Sequence, residues 1–295
     1  MINLALSVAK YRSIGRMIGV FLLGIANTCN AITENHSTHI LHHSHNAYGE
    51  IWVYENDTER CLSFDRPYQG SRQSCLLLTQ TDHLALDYQK MMLSALFFNI
   101  EPPRDILMIG LGGGTLARSL LGLLPEAHLD IVEINPDIPG IAQQFFLFKP
   151  NEKTRIFVEK SEDYIQRIGS ELAYDLIFVD AFNKEYIPPA FLTFNFVTTL
   201  KKHLKPNGVV AVNTFKSSKY YDLETHLYEK TFGTVYNLVG HNRIIIANNG
   251  KIPTMERVQE NAYRWDNSFQ KLGIPTKVLL EPVQKIIESC NQGVN

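Results

Sequence analysis

Asp105-Ile-Leu-Met-Ile109 is an apolar run that leads into Gly110-Leu-Gly112-Gly113-Gly114-Thr115, and Glu133 closes the next apolar run nineteen residues after Gly114. Residues of these types at this spacing can hold a nucleoside. Glycines accept positive φ and carry no Cβ to keep a ligand off the backbone, and a helix starting at such a turn offers free N–H groups. A carboxylate at the end of the neighbouring strand can accept from both hydroxyls of a ribose. Gly110, Gly112 and Gly114 satisfy G-x-G-x-G, whereas the last position of G-x-G-x-x-G holds Thr115. The spacing points to an S-adenosylmethionine-like nucleoside rather than NAD.

A second reactive group closes Tyr174-Asp-Leu-Ile-Phe-Val-Asp180. In open parallel sheets ligands bind at the carboxyl ends of the strands, where Asp180 would stand. An acid after a near-continuous apolar run is costly to bury without a partner, so a functional role is preferred to capping the next turn.

These groups need a scaffold, and the hydrophobic pattern supplies one. Buried-type strands fall at 105–110, 128–134, 155–159, 174–181 and 208–214, separated by helical stretches near 115–124, 136–148, 161–168 and 189–204. That alternation predicts βαβ units and a parallel sheet. The runs at 234–239 and 243–248 are separated only by Gly240-His-Asn242, too short for a crossover helix, so they pair antiparallel. The expected fold class is α/β: a methyltransferase-type Rossmann fold whose seven-stranded, mostly parallel sheet ends in an antiparallel pair. A small β-hairpin domain precedes it, read from Tyr48-Gly-Glu-Ile-Trp-Val-Tyr54 and Thr58-Glu-Arg-Cys-Leu-Ser-Phe64 across a turn at Asn56-Asp57. The run at 75–78 can extend that sheet, and 82–99 has helical spacing. The domains are therefore 1–45 (leader and His-rich stretch), 46–100 (hairpin plus helix), 101–250 (nucleoside domain) and 251–295 (helical tail). Whether the tail packs on the sheet or on a second subunit, as in a homodimer, is open.

Composition narrows the partners. Among 295 residues, Lys+Arg 28 against Asp+Glu 30 gives a net charge of -2, which excludes a strong positive field for nucleic acid. The four cysteines form no C-x-x-C pair, so neither a disulfide framework nor a metal site is signalled, and a reducing compartment is compatible. Lys10, Arg12 and Arg16 precede an apolar run at 17–26, an order that resembles a secretory signal peptide and is too short to span a bilayer. Cytoplasmic residence is expected, with export or membrane association through 1–31 as the alternative. His36-Ser-Thr-His39-Ile-Leu-His42-His43-Ser-His45 is read as a mobile polar segment rather than a metal site. The clusters at 145–148 and Met91-Met92 are read as core.

Taken together, the glycine loop, Val132-Glu-Ile134, Asp180, Tyr186-Ile-Pro-Pro-Ala-Phe-Leu-Thr193 and the preceding hairpin resemble the spermidine synthase (polyamine aminopropyltransferase) family. Leu62-Ser-Phe-Asp65-Arg-Pro-Tyr-Gln69 is similar to the family's L-x-L-D-G-x-x-Q, and Tyr88-Gln89-Lys90-Met91 to its Y-[H/Q]-E-M. The likeness runs from about Tyr48 to Asn248. It implies attack by an amine on the aminopropyl group of decarboxylated S-adenosylmethionine, with Asp180 as base and Tyr88 its helper. Gly110, Gly112, Gly114, Glu133 and Gln69 would hold the nucleoside, Gln89 and Asn183 the acceptor, and no metal is needed. Methyl transfer from S-adenosylmethionine, or nucleoside binding without catalysis, are the alternatives.

The chain departs from the family's pattern where charge matters. The acid of its G-G-G-D-G-G loop is Gly113 here, the second acid of D-[S/T]-x-D is Asn183, the Glu after Tyr88-Gln89 is Lys90, and the adenine-contacting Asp falls near Lys160-Ser161. A carboxylate 4 Å from an ammonium is worth about 4 kcal/mol at an effective dielectric of about 20, before screening. Two lost acids and a gained lysine are expected to weaken diamine binding, and Gly113→Asp with Asn183→Asp to restore it.

Overall fold

Four antiparallel strands begin the part of the chain that the structure, a computed structural model, describes: residues 38–67, 72–169, 172–182, 187–251 and 253–281. They are β1 (His39–Asn46), β2 (Gly49–Glu55), β3 (Glu59–Ser63) and β4 (Arg72–Leu77), in that spatial order. The histidine tract is therefore not a mobile segment from His39 onward. It pairs residue by residue with β2, from His43 opposite Trp52 to Asn46 opposite Gly49. Its imidazoles serve as flat strand side chains: His43 stacks on Trp52 with ring centroids 3.6 Å apart, and His42 lies 5.8 Å from Phe145. The proposed leader lies outside the described residues.

The cysteines also differ from expectation. Cys61 and Cys75 sit directly opposite each other on β3 and β4, with Cα atoms 4.1 Å apart, and form a disulfide. Strand register brings together two residues that are fourteen positions apart, which sequence spacing could not reveal.

Residues 82–86 are not helical, because Leu84 bridges back to Leu76 and donates its N–H to the carbonyl of Leu272. The helix is confined to α1 (Asp87–Leu93) and tightens to a 3-10 turn at Ser94–Phe98. Then come β5 (Asp105–Ile109), α2 (Thr115–Leu123), β6 (His128–Glu133), α3 (Ile138–Phe145), β7 (Thr154–Val158), α4 (Ser161–Arg167) and β8 (Tyr174–Val179). After a 3-10 turn at Pro189–Phe191 the chain continues as α5 (Phe194–Lys202), β9 (Leu204–Phe215), α6 (Tyr221–Phe232), β10 (Val235–Val239), β11 (Asn242–Asn248) and α7 (Met255–Gln270). Thr193 and Thr254 cap α5 and α7 by accepting from the N–H of Phe196 and Arg257.

The second sheet has the order β10-β11-β9-β8-β5-β6-β7, parallel from β9 to β7, with β10 and β11 antiparallel. The chain builds outward from β5 through β6 to β7 and then returns to β8 on the other side. The switch point thus lies between β5 and β8, the place where open sheets of this kind leave a crevice. Apolar side chains cover both faces: Ile106, Met108, Leu176 and Phe178 pack on the side of α2 and α7, and Leu107, Ile109, Ile177 and Val179 on the side of α4 and α5.

The described part of the tail packs on its own chain. Asn261 on α7 donates to the carbonyls of Phe97 and Asn99, and Phe269 sits 5.2 Å from Phe97. Among the described residues no helix is long and apolar enough to cross a membrane.

Closing a loop of this length by a disulfide is worth roughly 2–4 kcal/mol. The double variant Cys61→Ala/Cys75→Ala is expected to lose about that much in urea unfolding, and the unreduced protein to resist alkylation at both positions.

Candidate active site

The glycine loop leaves β5 at the switch point and is packed tightly behind. A Cβ on Gly110, whose φ is +93°, would overlap the carbonyl oxygen of Asp180, so only glycine lets the loop lie against the end of β8. A Cβ on Gly113 would come within 2.7 Å of Ser74 Cβ and 3.1 Å of the Phe146 ring. The Gly113 N–H donates to Ser74 Oγ at 2.9 Å, so β4 of the first sheet supports the loop directly. A side chain at position 113 would press on Ser74 and Phe146, so this packing opposes the gain in diamine affinity expected from Gly113→Asp with Asn183→Asp. Gly110 and Gly112 line the open crevice, whereas Gly114 turns toward Phe148 and holds the loop from behind instead of facing the ligand space.

Glu133, at the end of β6, is buried and faces the same loop. It accepts from the N–H groups of Leu111 and Asn135, each at 2.9 Å, and those of Gly112 and Ile134 also point toward it. Burial raises its pKa, and these backbone donors oppose that rise. The side chain lines the crevice beside the glycine loop.

Asp180 follows β8, with its N–H donating to the carbonyl of Ile109 at 2.8 Å. Its carboxylate accepts from Asn213 Nδ2 at 2.9 Å and lies within hydrogen-bonding reach of the Tyr88 hydroxyl. Desolvation pushes its pKa up to about 6, while Asn213 and Tyr88 hold it down. The Tyr88 pKa is raised well above its ordinary value, first by burial and then by the negative charge of Asp180, so the phenol keeps its proton. That proton has two acceptors, Asp180 and the carbonyl of Gln73, which Tyr88 Oη reaches at 3.0 Å. The structure thus brings Asp180 and Tyr88 together, as expected.

Gln89 does not face the crevice. It is buried, and Nε2 donates to Thr115 Oγ1 at 2.9 Å, locking α1 to the first turn of α2. It therefore supports the loop instead of touching an acceptor. Lys90 pairs with Asp87 at 2.9 Å and does not line the crevice, so the charge it was expected to bring there is absent from the lining. Gln69, Asn183 and Tyr186 lie outside the described residues.

The crevice has a volume of about 570 Å³, within the range of about 300–1,000 Å³ usual for small-molecule sites. Several lining residues were not anticipated. Phe64, Phe182 and Phe191 supply apolar walls, and Glu50, Glu159 and Glu162 bring carboxylates against Lys160 and His45. Glu159 also pairs with Arg167. Acids from two separate segments, β2 and the turn from β7 into α4, thus line the crevice although position 113 carries none. Asn213 was missed as well, although its signal was present: like Asp180, it is a polar residue ending an apolar run, Val209-Val-Ala-Val212.

Comparison with known proteins agrees with this fold. The family model described as the spermine/spermidine synthase domain matches residues 85–239. The polyamine aminopropyltransferase of Vibrio vulnificus is 37% identical over 241 residues, which is 80% of each chain. Among solved structures, a probable spermidine synthase from Corynebacterium glutamicum superposes with a TM-score of 0.64 at 17% identity, covering 79% of this chain and 88% of that one. Human methyltransferase-like protein 13, solved in complex with SAH, superposes with a TM-score of 0.57 at 24% identity, covering 65% of this chain and 94% of that one.

Gly113→Asp is expected to cost about 1–3 kcal/mol through overpacking against Ser74 and Phe146, read as a lower Tm, and to weaken nucleoside binding. A variant with unchanged Tm and tighter diamine binding would contradict the packing described.

Proposed function

The chain belongs to the spermine/spermidine synthase family, and on that premise we propose that it transfers the aminopropyl group of decarboxylated S-adenosylmethionine to a small amine. The observation that carries this reading is Asp180, a partly desolvated carboxylate at the switch point between a glycine loop and a phenol. Gly110, Gly112 and Glu133 cradle the nucleoside, and Glu133 accepts from the ribose. Gln69 and Asn183 are assigned to nucleoside and acceptor on the family's pattern.

An acceptor amine arrives as an ammonium and must lose a proton before its lone pair can attack. That lone pair forms a bond to the methylene carbon beside the sulfonium, the C–S bond breaks, and its electrons neutralise sulfur as methylthioadenosine leaves. The proton goes to Asp180. Against an alkylammonium near about 10.4, a carboxylate at about 6 leaves a gap of about four units, roughly 6 kcal/mol. An unperturbed aspartate would add about two units more. Desolvation of the ammonium among the phenylalanines narrows the gap further, and proximity supplies much of the remaining acceleration.

Glu50, Glu159 and Glu162 favour a cationic acceptor, and Lys90 does not oppose one. Methyl transfer from S-adenosylmethionine is the second reading. It is favoured by one observation, the packed Gly113, which leaves no acid to hold the amine end of a decarboxylated donor. Calorimetric titration with each sulfonium separates the two. Binding and turnover of the decarboxylated form with a diamine is expected, and binding of S-adenosylmethionine alone would reverse the assignment. A cytoplasmic site of action fits the proposed donor, whereas the Cys61–Cys75 bond supports the exported alternative.

Two outcomes follow for the base. With Asp180 needed in its ionised form, kcat/KM is expected to fall as pH drops through about 6 and to be flat just above. Asp180→Asn is expected to lower kcat by about 10²–10⁴-fold. Because the folded-state pKa is raised, ionised Asp180 costs stability above that pH, so the variant's Tm at pH 7.5 is expected to equal or exceed that of the parent.

A further inference from the structure

Asp180 is held by a chain of two asparagine side chains drawn from neighbouring strands. Asn213 Nδ2, near the end of β9, donates to Asp180 Oδ1 at 2.9 Å. Asn242 Nδ2, at the start of β11, donates to Asn213 Oδ1 at 2.9 Å. We propose that Asn213 and Asn242 are positioning residues for Asp180: Asn242 locks the Asn213 amide in the one orientation that donates to the carboxylate. The inference rests on Asp180 being the base.

The reason lies in the symmetry of an amide. Its oxygen and nitrogen ends have nearly the same shape, so packing alone does not choose between them. Asn213 is buried, and whichever end faces Asp180 decides what that carboxylate meets. With nitrogen inward the ionised carboxylate gains a donor. With oxygen inward two acceptors face each other, and the pair is satisfied only if Asp180 takes up a proton, which disables it as a base. Asn242 favours the first arrangement: its Nδ2 already satisfies the Asn213 oxygen, so turning the Asn213 amide over would set nitrogen against nitrogen as well as oxygen against carboxylate unless Asn242 turned over with it. The antiparallel pairing of β11 with β9 brings the two asparagines within reach, with Asn213 opposite Ile244 and Asn242 opposite Phe215.

The other groups around Asp180 cannot replace this function. Tyr88, from α1, shares its proton with the carbonyl of Gln73. Gly110 contributes backbone only, packed against the Asp180 carbonyl. The remaining ionisable groups around the crevice are Glu133 from β6, Glu159, Lys160 and Glu162 at the start of α4, and His45 and Glu50 from the first sheet. Four of these six are acids, which oppose ionisation of Asp180. Asn213 is thus the neutral donor that opposes desolvation, in keeping with its downward influence on Asp180.

The test compares Asn242→Ala, which removes the tie-breaker, with Asn242→Asp, which replaces a donor by an acceptor, and with Asn213→Leu. In each, the Asp180 carboxyl is titrated by ¹³C NMR of aspartate-labelled protein, and the pH profile of kcat/KM is recorded beside it. The titration needs no substrate, so it remains readable if the proposed transfer reaction is wrong. Asn213→Leu is expected to move the Asp180 midpoint and the acid limb upward by about one pH unit. Asn242→Asp is expected to move them further than Asn242→Ala, with KM for the nucleoside unchanged in all three. A role confined to strand packing would lower Tm and leave the midpoint near 6. Midpoints unmoved in the folded Asn242 variants would overturn the proposal, whether or not Asn213→Leu folds. Shifted midpoints without transferase activity would retain the asparagine chain and remove only the reaction assigned to it.

Discussion

One buried carboxylate holds the crevice in shape. Glu133 takes the N–H of Leu111 on one oxygen and the N–H of Asn135 on the other, fastening the glycine loop of one strand to the turn after the next. A carboxylate offers about four acceptor sites, so this gathering of backbone donors leaves limited capacity for a ligand. Its first role is architectural, and any sugar hydroxyl joins a set of bonds that already exists. That explains why an acid here tolerates burial: the N–H groups supply what water would otherwise provide.

The first sheet is part of the same construction. Ser74 receives the N–H of Gly113, the carbonyl of Gln73 receives the hydroxyl of Tyr88, and Asn46 Nδ2 donates to Asn135 Oδ1 and Asp137 Oδ2. The disulfide at Cys75 is one residue from Ser74 and two from Gln73, so a cross-linked stretch of that sheet supports both the glycine loop and the phenol.

Much of the second sheet was legible in the sequence because its signals are local. Apolar runs, glycine turns and a two-strand ending too short for a crossover specify strand direction without reference to anything distant. Gly110, Glu133 and Asp180 were legible for the same reason, each ending a run. What escaped notice depends on register or on residues far along the chain. Cys61 meets Cys75 only through pairing of β3 with β4, and Leu84 leaves the helical pattern because Leu76 and Leu272 capture it. Glu50 and Glu162 enter the crevice from segments more than a hundred residues apart. Aligned motifs also misled at Gln89 and Lys90: a helix turns neighbouring side chains in different directions, so the motif's neighbours do not share its crevice.

The contact between Gly110 and the carbonyl of Asp180 ties the fates of two functions. The turn proposed to admit the nucleoside and the residue proposed to take the proton share a single van der Waals surface, with no side chain between them to absorb a change. Drift in one would displace the other, so this pair cannot be retuned piecemeal. Substrate preference can be retuned without disturbing that contact at Glu50, Lys160 and Glu162, which line the same crevice from other segments.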